Sequence, residues 1–298
     1  MTKSHKFIFL AATCLFYCKA AQAQDANKLQ FSGGAGYQRE NFHWSIAGNI
    51  NGQSPNVYSE LKWKSISGIK WDAAMQWNFY SRFLLTGGYD RSSITSGTSN
   101  DTDYGGDNRT NPVYNQNFSS NKGSTSAWSA GLGYKLIANK LWKLTPYAGY
   151  GIHYQSYYLL GDEGSFGQLN TTYKPQWEGP FIRLTSSVQL LKNLEAFGDF
   201  TYNQVKYNAA ADWNLIQNFQ HPVSFRQAAN GYGIDMEAGL SFNINRHLAI
   251  NTGFGFFNWE TGNGTDTLYL TSGGTEKTQM NGATRNGMLF KVGLNIKL

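Results

Sequence analysis

Alternating hydrophobic and polar positions run through most of the chain, and they are clearest in the last eleven residues, Met288 to Leu298. Every second residue from Phe290 onward is apolar, and lysine, glycine or asparagine lies between them. Side chains of a β-strand alternate between two faces, so this segment predicts a strand with one wholly apolar face. Such a strand promotes edge aggregation unless it is covered. Closing a barrel in lipid covers it, so the pattern favours a transmembrane β-barrel.

The same period of two predicts about ten strands and no long helix. We expect the first strand over Leu29 to Gly48, with a break around Arg39 to Asn41 that is typical of a β-bulge. The second, Ser59 to Asn78, is predicted to carry Leu61, Trp63, Ile69, Trp71 and Trp77 on one outward face. The others are expected near residues 82–95, 124–137, 143–160, 180–190, 195–208, 232–244, 248–258 and 284–298. A strand of about twenty residues tilted by about 40° rises about 50 Å, roughly twice the apolar band of an outer-membrane barrel, so the barrel is expected to project beyond the membrane.

The connections alternate between short and long. Short turns are expected at residues 79–81, 138–141, 191–193 and 245–247, and long polar loops at 49–56, 96–123, 161–179, 209–231 and 260–283. In bacterial barrels the short turns are periplasmic and the long loops extracellular. The predicted fold is therefore all-β: an antiparallel up-and-down transmembrane barrel of about ten strands with long extracellular loops, in the outer membrane of a Gram-negative cell.

Residues 1–23 have the layout of a secretory signal peptide. Lys3 and Lys6 are basic, Phe7 to Cys18 is apolar, and Ala21 to Ala23 is an A-x-A cleavage site. The apolar stretch is shorter than the roughly 20 residues that a transmembrane anchor needs. Cleavage after Ala23 would leave one barrel domain, residues 24–298.

Composition excludes several kinds of chemistry. Both cysteines lie in the predicted leader, so the mature chain offers no thiol for a disulfide, a metal site or a nucleophile. The full chain has 25 basic and 19 acidic residues; without Lys3, Lys6 and Lys19 the balance is 22 against 19, or +3. This weak charge does not favour a nucleic-acid partner. Phosphate-loop, dinucleotide and zinc-protease motifs are missing from the sequence, and no cofactor is expected.

Several segments resemble the omptins, ten-stranded outer-membrane endopeptidases. The similar segments are Ser59 to Lys64 with Trp77, Tyr173 to Trp177, Pro180 to Ile182, Leu184–Thr185, and Gly293–Leu294 with the alternating terminal strand. They resemble the omptin second strand, the entry to the sixth strand and the end of the chain. The resemblance spans nearly the whole mature chain and implies a ten-stranded barrel.

The resemblance also implies a catalytic site. Omptins carry an Asp-x-Asp pair at one rim and an Asp-x-His pair opposite, which hold and activate the water that attacks a peptide carbonyl. The first pair corresponds to Asp101 and Asp103. Without gaps, the second corresponds to Asp212 and Asn214, so Asn214 occupies the histidine position. An amide cannot take up a proton as imidazole does, and a positioned base contributes about 10²–10⁴-fold to a rate.

His221 lies in the same predicted loop and is a possible substitute base. The alternative is an ordinary surface histidine, because a base must lie within hydrogen-bond reach of the proton it removes. His153 is expected to face the barrel interior and to join a polar network.

Other readings of the acids stay open. As an alternative to a reactive role, the three aspartates are compatible with solvated loop acids or cation-binding rim residues. Asp101, Asp103 and Gly106 partly fit an EF-hand spacing, but Gly105 holds the fifth position and the terminal glutamate is missing, so no metal is expected. The lipopolysaccharide-binding pattern of omptins also weakens here, because its Tyr-x-Glu-x-Arg corresponds to Tyr150 to Tyr154 and a further arginine corresponds to Gln189.

Three functions follow as hypotheses. The first is an omptin-like barrel with a degenerate protease site that acts through its extracellular loops in surface binding or adhesion. The second is an active endopeptidase using a water activated by the aspartates. The third is a small passive pore, since the interior of a barrel of this size is nearly filled by side chains. The expected partners are outer-membrane lipid or lipopolysaccharide and a peptide or host cell-surface ligand.

Overall fold

The structure is a computed structural model that describes residues 29–161 and 166–298. The predicted signal peptide, residues 1–23, lies outside the described residues. Within those two ranges, no helix has the length and apolar character needed to cross a membrane.

In residues 29–161 and 166–298, thirteen antiparallel strands form one sheet. They are β1 (Leu29–Ile46), β2 (Ser59–Tyr80), β3 (Phe83–Gly106), β4 (Thr110–Ser119), β5 (Gly123–Tyr134), β6 (Ile137–Ala138), β7 (Trp142–Leu160), β8 (Asn170–Leu191), β9 (Leu194–Asp212), β10 (Phe225–Asn243), β11 (Leu248–Thr261), β12 (Gly264–Tyr269) and β13 (Thr275–Lys297). A single 3-10 turn, Asp107–Arg109, joins β3 to β4.

The sheet closes into a barrel because β13 pairs with β1 from Gln30–Lys297 to Ile46–Met280. Two positions around the wall are each built from two strands. β4 and β5 lie between β3 and β7, and β11 and β12 lie between β10 and β13. With the short β6 at a turn, the wall has ten positions. The predicted barrel of about ten strands, closed by the terminal strand, is confirmed.

The lower part of the barrel, where β1 begins and β13 ends, has an apolar exterior and a polar interior. On β9 the outward residues Phe200 and Tyr202 are exposed, while Asp199 and Asn203 face inward. Exposed aromatic residues form two rings: Trp77, Phe79, Tyr80, Phe83, Tyr134 and Trp142 below, and Tyr37, Tyr150, Tyr154, Tyr202 and Tyr232 above. Aromatic girdles of this kind mark the two interfaces of a lipid-spanning band.

Above the second ring the polarity inverts. On β9 the buried inward residues become Val205 and Tyr207, and the exposed outward residues become Lys206 and Asn208. The same inversion on β1 brings Phe42 and Trp44 into the interior. Water-facing walls need polar residues outside and bury apolar ones inside, so this upper part is a barrel that stands in water. Only the lower part spans the membrane, as the strand lengths predicted.

The bulge lies in β2 and not in β1, which corrects the sequence prediction. Glu40 pairs with Ile66 and Phe42 with Trp63, so β2 has one residue more than β1 between these pairs. The extra residue, Ser65, has a positive φ of 55°, and its N–H donates to Asn41 Oδ1 at 2.9 Å. Because one extra residue exchanges the faces of a strand, the predicted single outward face of β2 was wrong.

Above the bulge, Leu61 and Trp63 are fully buried inside, whereas Ile69, Trp71 and Trp77 below it face lipid as predicted. In β1 the even-numbered residues stay inside throughout. The break in its hydrophobic pattern comes from the inversion of polarity and not from the backbone.

The predicted long loops are shorter than expected, because the strands continue through much of them. β3 reaches Gly106, β8 begins at Asn170, and β10 begins at Phe225. In these segments apolar residues face inward and polar residues outward, which is the reverse of the lipid-facing pattern used to assign strands. Strands therefore build much of the upper part.

Candidate functional site

Asp101 and Asp103 lie near the upper end of β3, above the membrane band. Asp101 pairs with Leu61 on β2 and Gln116 on β4, and Asp103 pairs with Ser59 and Tyr114. Directly paired residues share a face of the sheet, so both carboxylates lie on the inner face with Leu61. The structure therefore brings these two predicted site residues together, each half-buried.

Burial dominates the electrostatics of this pair. Burial, and then the charge of Asp103, raise the pKa of Asp101 to about 7. Burial also raises the pKa of Asp103, against a hydrogen bond from Ser59. Among the described residues, neither carboxylate has a lysine, arginine or histidine within ion-pair distance. Asp101 is therefore largely protonated below neutral pH.

Replacing Asp101 with asparagine is expected to stabilise the β3–β4 hairpin at pH 8 and to leave it unchanged near pH 4. The pKa of Asp101 rises from 3.8 to about 7 on folding, so the folded state binds more protons between these values. Stability therefore falls as the pH rises from about 4 to about 7, and an amide removes that loss. Amide hydrogen exchange of residues 96–119, compared between variant and parent at each pH, measures the effect. Equal protection at pH 8 would contradict the assignment.

Asp212 and His221 form a second pair. His221 Nδ1 lies 2.6 Å from Asp212 Oδ1, so the candidate substitute base does contact the predicted aspartate. Asp212 is the last residue of β9 and pairs with Thr172, next to the buried inward Ala211. Since neighbouring residues of a strand alternate between faces, Asp212 lies on the outer face of the wall. The two predicted pairs therefore face opposite sides of the wall.

Asn214 has a structural role in the connection after β9. Its Oδ1 accepts hydrogen bonds from the Asn170 N–H at 3.0 Å and from Thr171 Oγ1 at 3.3 Å. Its Nδ2 donates to the Gln168 carbonyl at 2.9 Å. These bonds fasten two adjacent connections to each other. The ungapped comparison did not reveal this, because hydrogen bonds to another loop leave no periodic signal.

An aromatic core fills the upper interior between these sites. It comprises Phe42, Trp44, Leu61, Trp63, Tyr157, Tyr173, Trp177, Tyr207, Phe225 and Trp259, all buried. The centre of the Trp44 ring on β1 lies 5.8 Å from that of Tyr173 on β8 and 5.7 Å from that of Phe225 on β10. Side chains from strands on opposite sides of the barrel therefore pack together. At Gly233 a Cβ would lie 2.3 Å from Trp259, so glycine makes room for that ring. The region between the acidic pair and β9 is thus packed with side chains.

Below the aromatic core lies a polar chamber of about 920 Å³. Charges of opposite sign pair in it: Lys70 Nζ lies 2.8 Å from Asp90, and Lys291 Nζ lies 2.9 Å from Glu237. His153 also lines the chamber, and the centre of its ring lies 4.5 Å from the centre of the Trp259 ring. The chamber continues to the lower end of the barrel, where Lys143 and Lys297 line it.

A cluster around Glu60 was not predicted. This carboxylate is buried on the outer wall of the upper part, where His43 Nε2, Lys62 Nζ and Arg109 Nη2 lie at 2.8, 2.5 and 2.8 Å. Burial alone would raise the pKa of Glu60, but hydrogen bonds from His43, Arg109 and Lys62 hold it well below its ordinary value. The cluster fastens the 3-10 turn to the wall. In the sequence, Glu60, Lys62 and Lys64 alternate along β2, and this pattern is typical of a solvent-exposed strand face. It therefore did not indicate a buried carboxylate.

In the described ranges, no three acidic, histidine or cysteine residues lie together in an arrangement that could hold a metal ion. Asp107, which lies beside the partial EF-hand spacing, accepts a hydrogen bond from the Asn56 N–H at 2.8 Å. It contributes to the connection between β3 and β4.

Comparisons with solved structures find several similar proteins. A crystal structure of the outer membrane protease OmpT from Escherichia coli is similar with a TM-score of 0.73 and 13% identity, over 94% of this chain and 99% of that one. OprG from Pseudomonas aeruginosa matches with a TM-score of 0.39 and 12% identity, over 93% of this chain and 99% of that one. The translocator domain of the autotransporter NalP from Neisseria meningitidis matches with a TM-score of 0.39 and 11% identity, over 92% of this chain and 90% of that one.

A search among curated proteins finds no match. At these identities the structural likeness concerns the fold alone, and it confirms an omptin-like barrel. The family model described as "Pom: Protochlamydia outer membrane protein" matches residues 32–296. The chain therefore belongs to the Protochlamydia outer membrane protein family and is an outer-membrane β-barrel with an omptin-like fold.

Proposed function

We propose that this protein is a non-proteolytic relative of the omptins that acts through its extracellular part in surface binding or adhesion. The observation that carries the proposal is the aromatic core. A peptide must lie between an acidic pair and an Asp–His pair for water to attack it, but Trp44, Tyr173 and Phe225 pack in that region. Asp212 also lies on the outer face of the wall, away from Asp101. Both features favour a degenerate protease site.

The β2–β3–β4 region is the surface best suited to a partner. β4 pairs with β3 along its length but with β7 only at Ser119–Leu160, so among the described residues its other edge is open. Most of its side chains are exposed, including Val113 at 65%. An open strand edge can pair with an extended peptide, and the two acids beside it favour a basic one. A peptide or host cell-surface ligand therefore remains the proposed partner, with lipopolysaccharide or other outer-membrane lipid around the wall.

Peptide cleavage tests the loss of proteolysis. The refolded chain is incubated with fluorogenic peptides containing arginine and lysine, with OmpT assayed alongside as the positive control. We expect no cleavage by this protein. Cleavage that disappears in the Asp101→Ala variant would contradict the proposal.

Asn214→His is expected to produce no protease activity. Asn214 bonds to Gln168, Asn170 and Thr171, so a histidine there loses these bonds without reaching the acidic pair. The loss of two or three hydrogen bonds is expected to lower stability by about 1–3 kcal/mol. The same peptide assay and a urea unfolding curve in micelles measure the two effects. Activity gained by this variant would mean that the carboxylates converge.

An active endopeptidase is the second candidate, and the contact between His221 and Asp212 at 2.6 Å favours it. In that case His221 supplies the base and Asp212 orients it. His221→Ala and His221→Gln would then abolish cleavage while leaving the barrel folded. If the parent cuts no peptide, this candidate fails.

A passive pore has weaker support, because the aromatic core lies above the polar chamber. In planar bilayers the parent is expected to give no steady conductance. Stable single-channel steps would favour the pore over surface binding.

A further inference from the structure

The periplasmic end of the barrel carries an unusual distribution of charge. Four turns lie at this end, joining β2 to β3, β5 to β7, β8 to β9 and β10 to β11. Each contains an exposed cation, in order Arg82, Lys140, Lys192 and Arg246, and the turn from β5 to β7 also contains the half-buried Lys135. None of these turns contains an aspartate or glutamate. Short turns of an outer-membrane barrel face the periplasm, so the four cations point towards that compartment.

Three more lysines lie inside this ring. Lys135, Lys143 and Lys297 line the lower end of the polar chamber. The carboxylate among them is Glu195, which Lys143 Nζ contacts at 2.9 Å. Lys143 is therefore already paired, whereas among the described residues neither Lys135 nor Lys297 has an acidic side chain within ion-pair distance. With the four turn residues they form a basic face, made of Arg82, Lys135, Lys140, Lys143, Lys192, Arg246 and Lys297.

The opposite end of the barrel differs. There Asp101, Asp103 and Asp212 lie near the rim together with Arg226 and Lys277, so both signs are present. The upper part also carries exposed lysines, such as Lys64, Lys174 and Lys206, but acidic residues lie among them, whereas the four periplasmic turns carry cations only. A face of one sign attracts polymers of the other sign over a Debye length, about 10 Å at 0.1 M salt.

We propose that the basic face docks on a carboxylate-rich polymer of the periplasm, of the kind found in the cell wall beneath an outer membrane. Phospholipid phosphates of the inner leaflet are the competing ligand, since they also carry negative charge. The inner lysines favour the polymer. Lys135 and Lys297 line the inside of the barrel, which separates them from surrounding lipid, whereas a carboxylate on a flexible polymer reaches them from below. Docking through this face leaves the extracellular part free.

Co-sedimentation tests the proposal with the refolded chain in zwitterionic micelles. The probe is isolated peptidoglycan sacculi, with labelled poly-L-glutamate as a soluble second probe. The test variant is the triple change Lys140→Glu, Lys192→Glu and Arg246→Glu at three turn tips. The matched control is Lys64→Glu, Lys174→Glu and Lys206→Glu, three exposed lysines on the outer wall of the upper part. Both triples change the net charge equally.

The parent is expected to bind both probes at low salt and to lose binding at about 0.5 M salt, where screening is strong. The turn-tip triple is expected to bind at least about 10-fold more weakly, and the control within about twofold of the parent. Equal weakening in both triples, or in neither, overturns the proposal. It is also overturned if the turn-tip triple keeps its binding to sacculi but loses a preference of the parent for nanodiscs containing anionic phospholipid. That outcome would assign the basic face to lipid phosphates.

Discussion

Replacing Arg285 with methionine is expected to lower the free energy of unfolding by about 3–5 kcal/mol, because it leaves a buried carboxylate without its cation. Arg285 Nε and Nη2 donate to Glu40 Oε2 at 3.0 and 2.8 Å, and both side chains are less than a tenth exposed. Its guanidinium also lies 4.5 Å from the centre of the Phe257 ring. The variant keeps the apolar stem but not the charge.

Urea unfolding in micelles measures this loss, and two variants serve as controls. Adding Glu40→Gln to Arg285→Met removes the uncompensated charge, so the double variant should recover most of the lost stability. Lys143→Met breaks an exposed ion pair with Glu195 and should cost less than about 1 kcal/mol. If Arg285→Met and Lys143→Met lower the free energy of unfolding by the same small amount, the Glu40–Arg285 pair does not stabilise the barrel.

Trp63→Ala is expected to cost about 3–5 kcal/mol, because it removes a fully buried indole from the aromatic core. The centre of its ring lies 5.4 Å from that of Tyr157 and 5.2 Å from that of Tyr173. Removing the ring would therefore leave a cavity at the centre of the upper interior. Trp71 is the matched control. It lies on the same strand below the bulge, is 43% exposed and faces lipid.

The comparison between these two variants tests the bulge at Ser65 directly. Trp63 and Trp71 are eight residues apart, so an uninterrupted strand would put both rings on the same face. The bulge instead sends Trp63 inward and Trp71 outward. Trp71→Ala should therefore have a clearly smaller effect on the unfolding midpoint. Similar losses in both variants would contradict this assignment.

The fold was predictable because lipid imposes a simple pattern. Along β13, Phe290 to Leu298 alternate without interruption, and the alternation on the other strands gave the correct number of wall positions. The upper part was harder. In water the apolar residues face inward. Segments such as Ala209–Ala211 on β9 therefore have no apolar outward face, and the sequence pattern predicted loops there.

The candidate site was predictable only in part. The spacing of Asp101 and Asp103 put them on one face of β3, which any strand would do. The connection from β9 to β10 folds back, which brings His221 to Asp212. The sequence indicated His221 only as a possible substitute base. The outer position of Asp212 was missed because residues 209–231 were predicted to form a loop, whereas β9 continues to Asp212 and its alternation sets the face. The packing of Trp44 across the barrel likewise depends on which strands lie opposite.

Cysteine labelling at two neighbouring positions of β9 tests the central claim, that a packed aromatic core closes the upper interior. Ala209 is 4% exposed inside, and Asn208 is exposed outside. A chain prepared as residues 24–298 has no other thiol, so Ala209→Cys and Asn208→Cys each give one reactive site. With a water-soluble maleimide added to the folded protein, Ala209→Cys should react at least about 100-fold more slowly than Asn208→Cys, since it reacts only on opening of the core. Equal rates would mean that the upper interior is an open, water-filled groove.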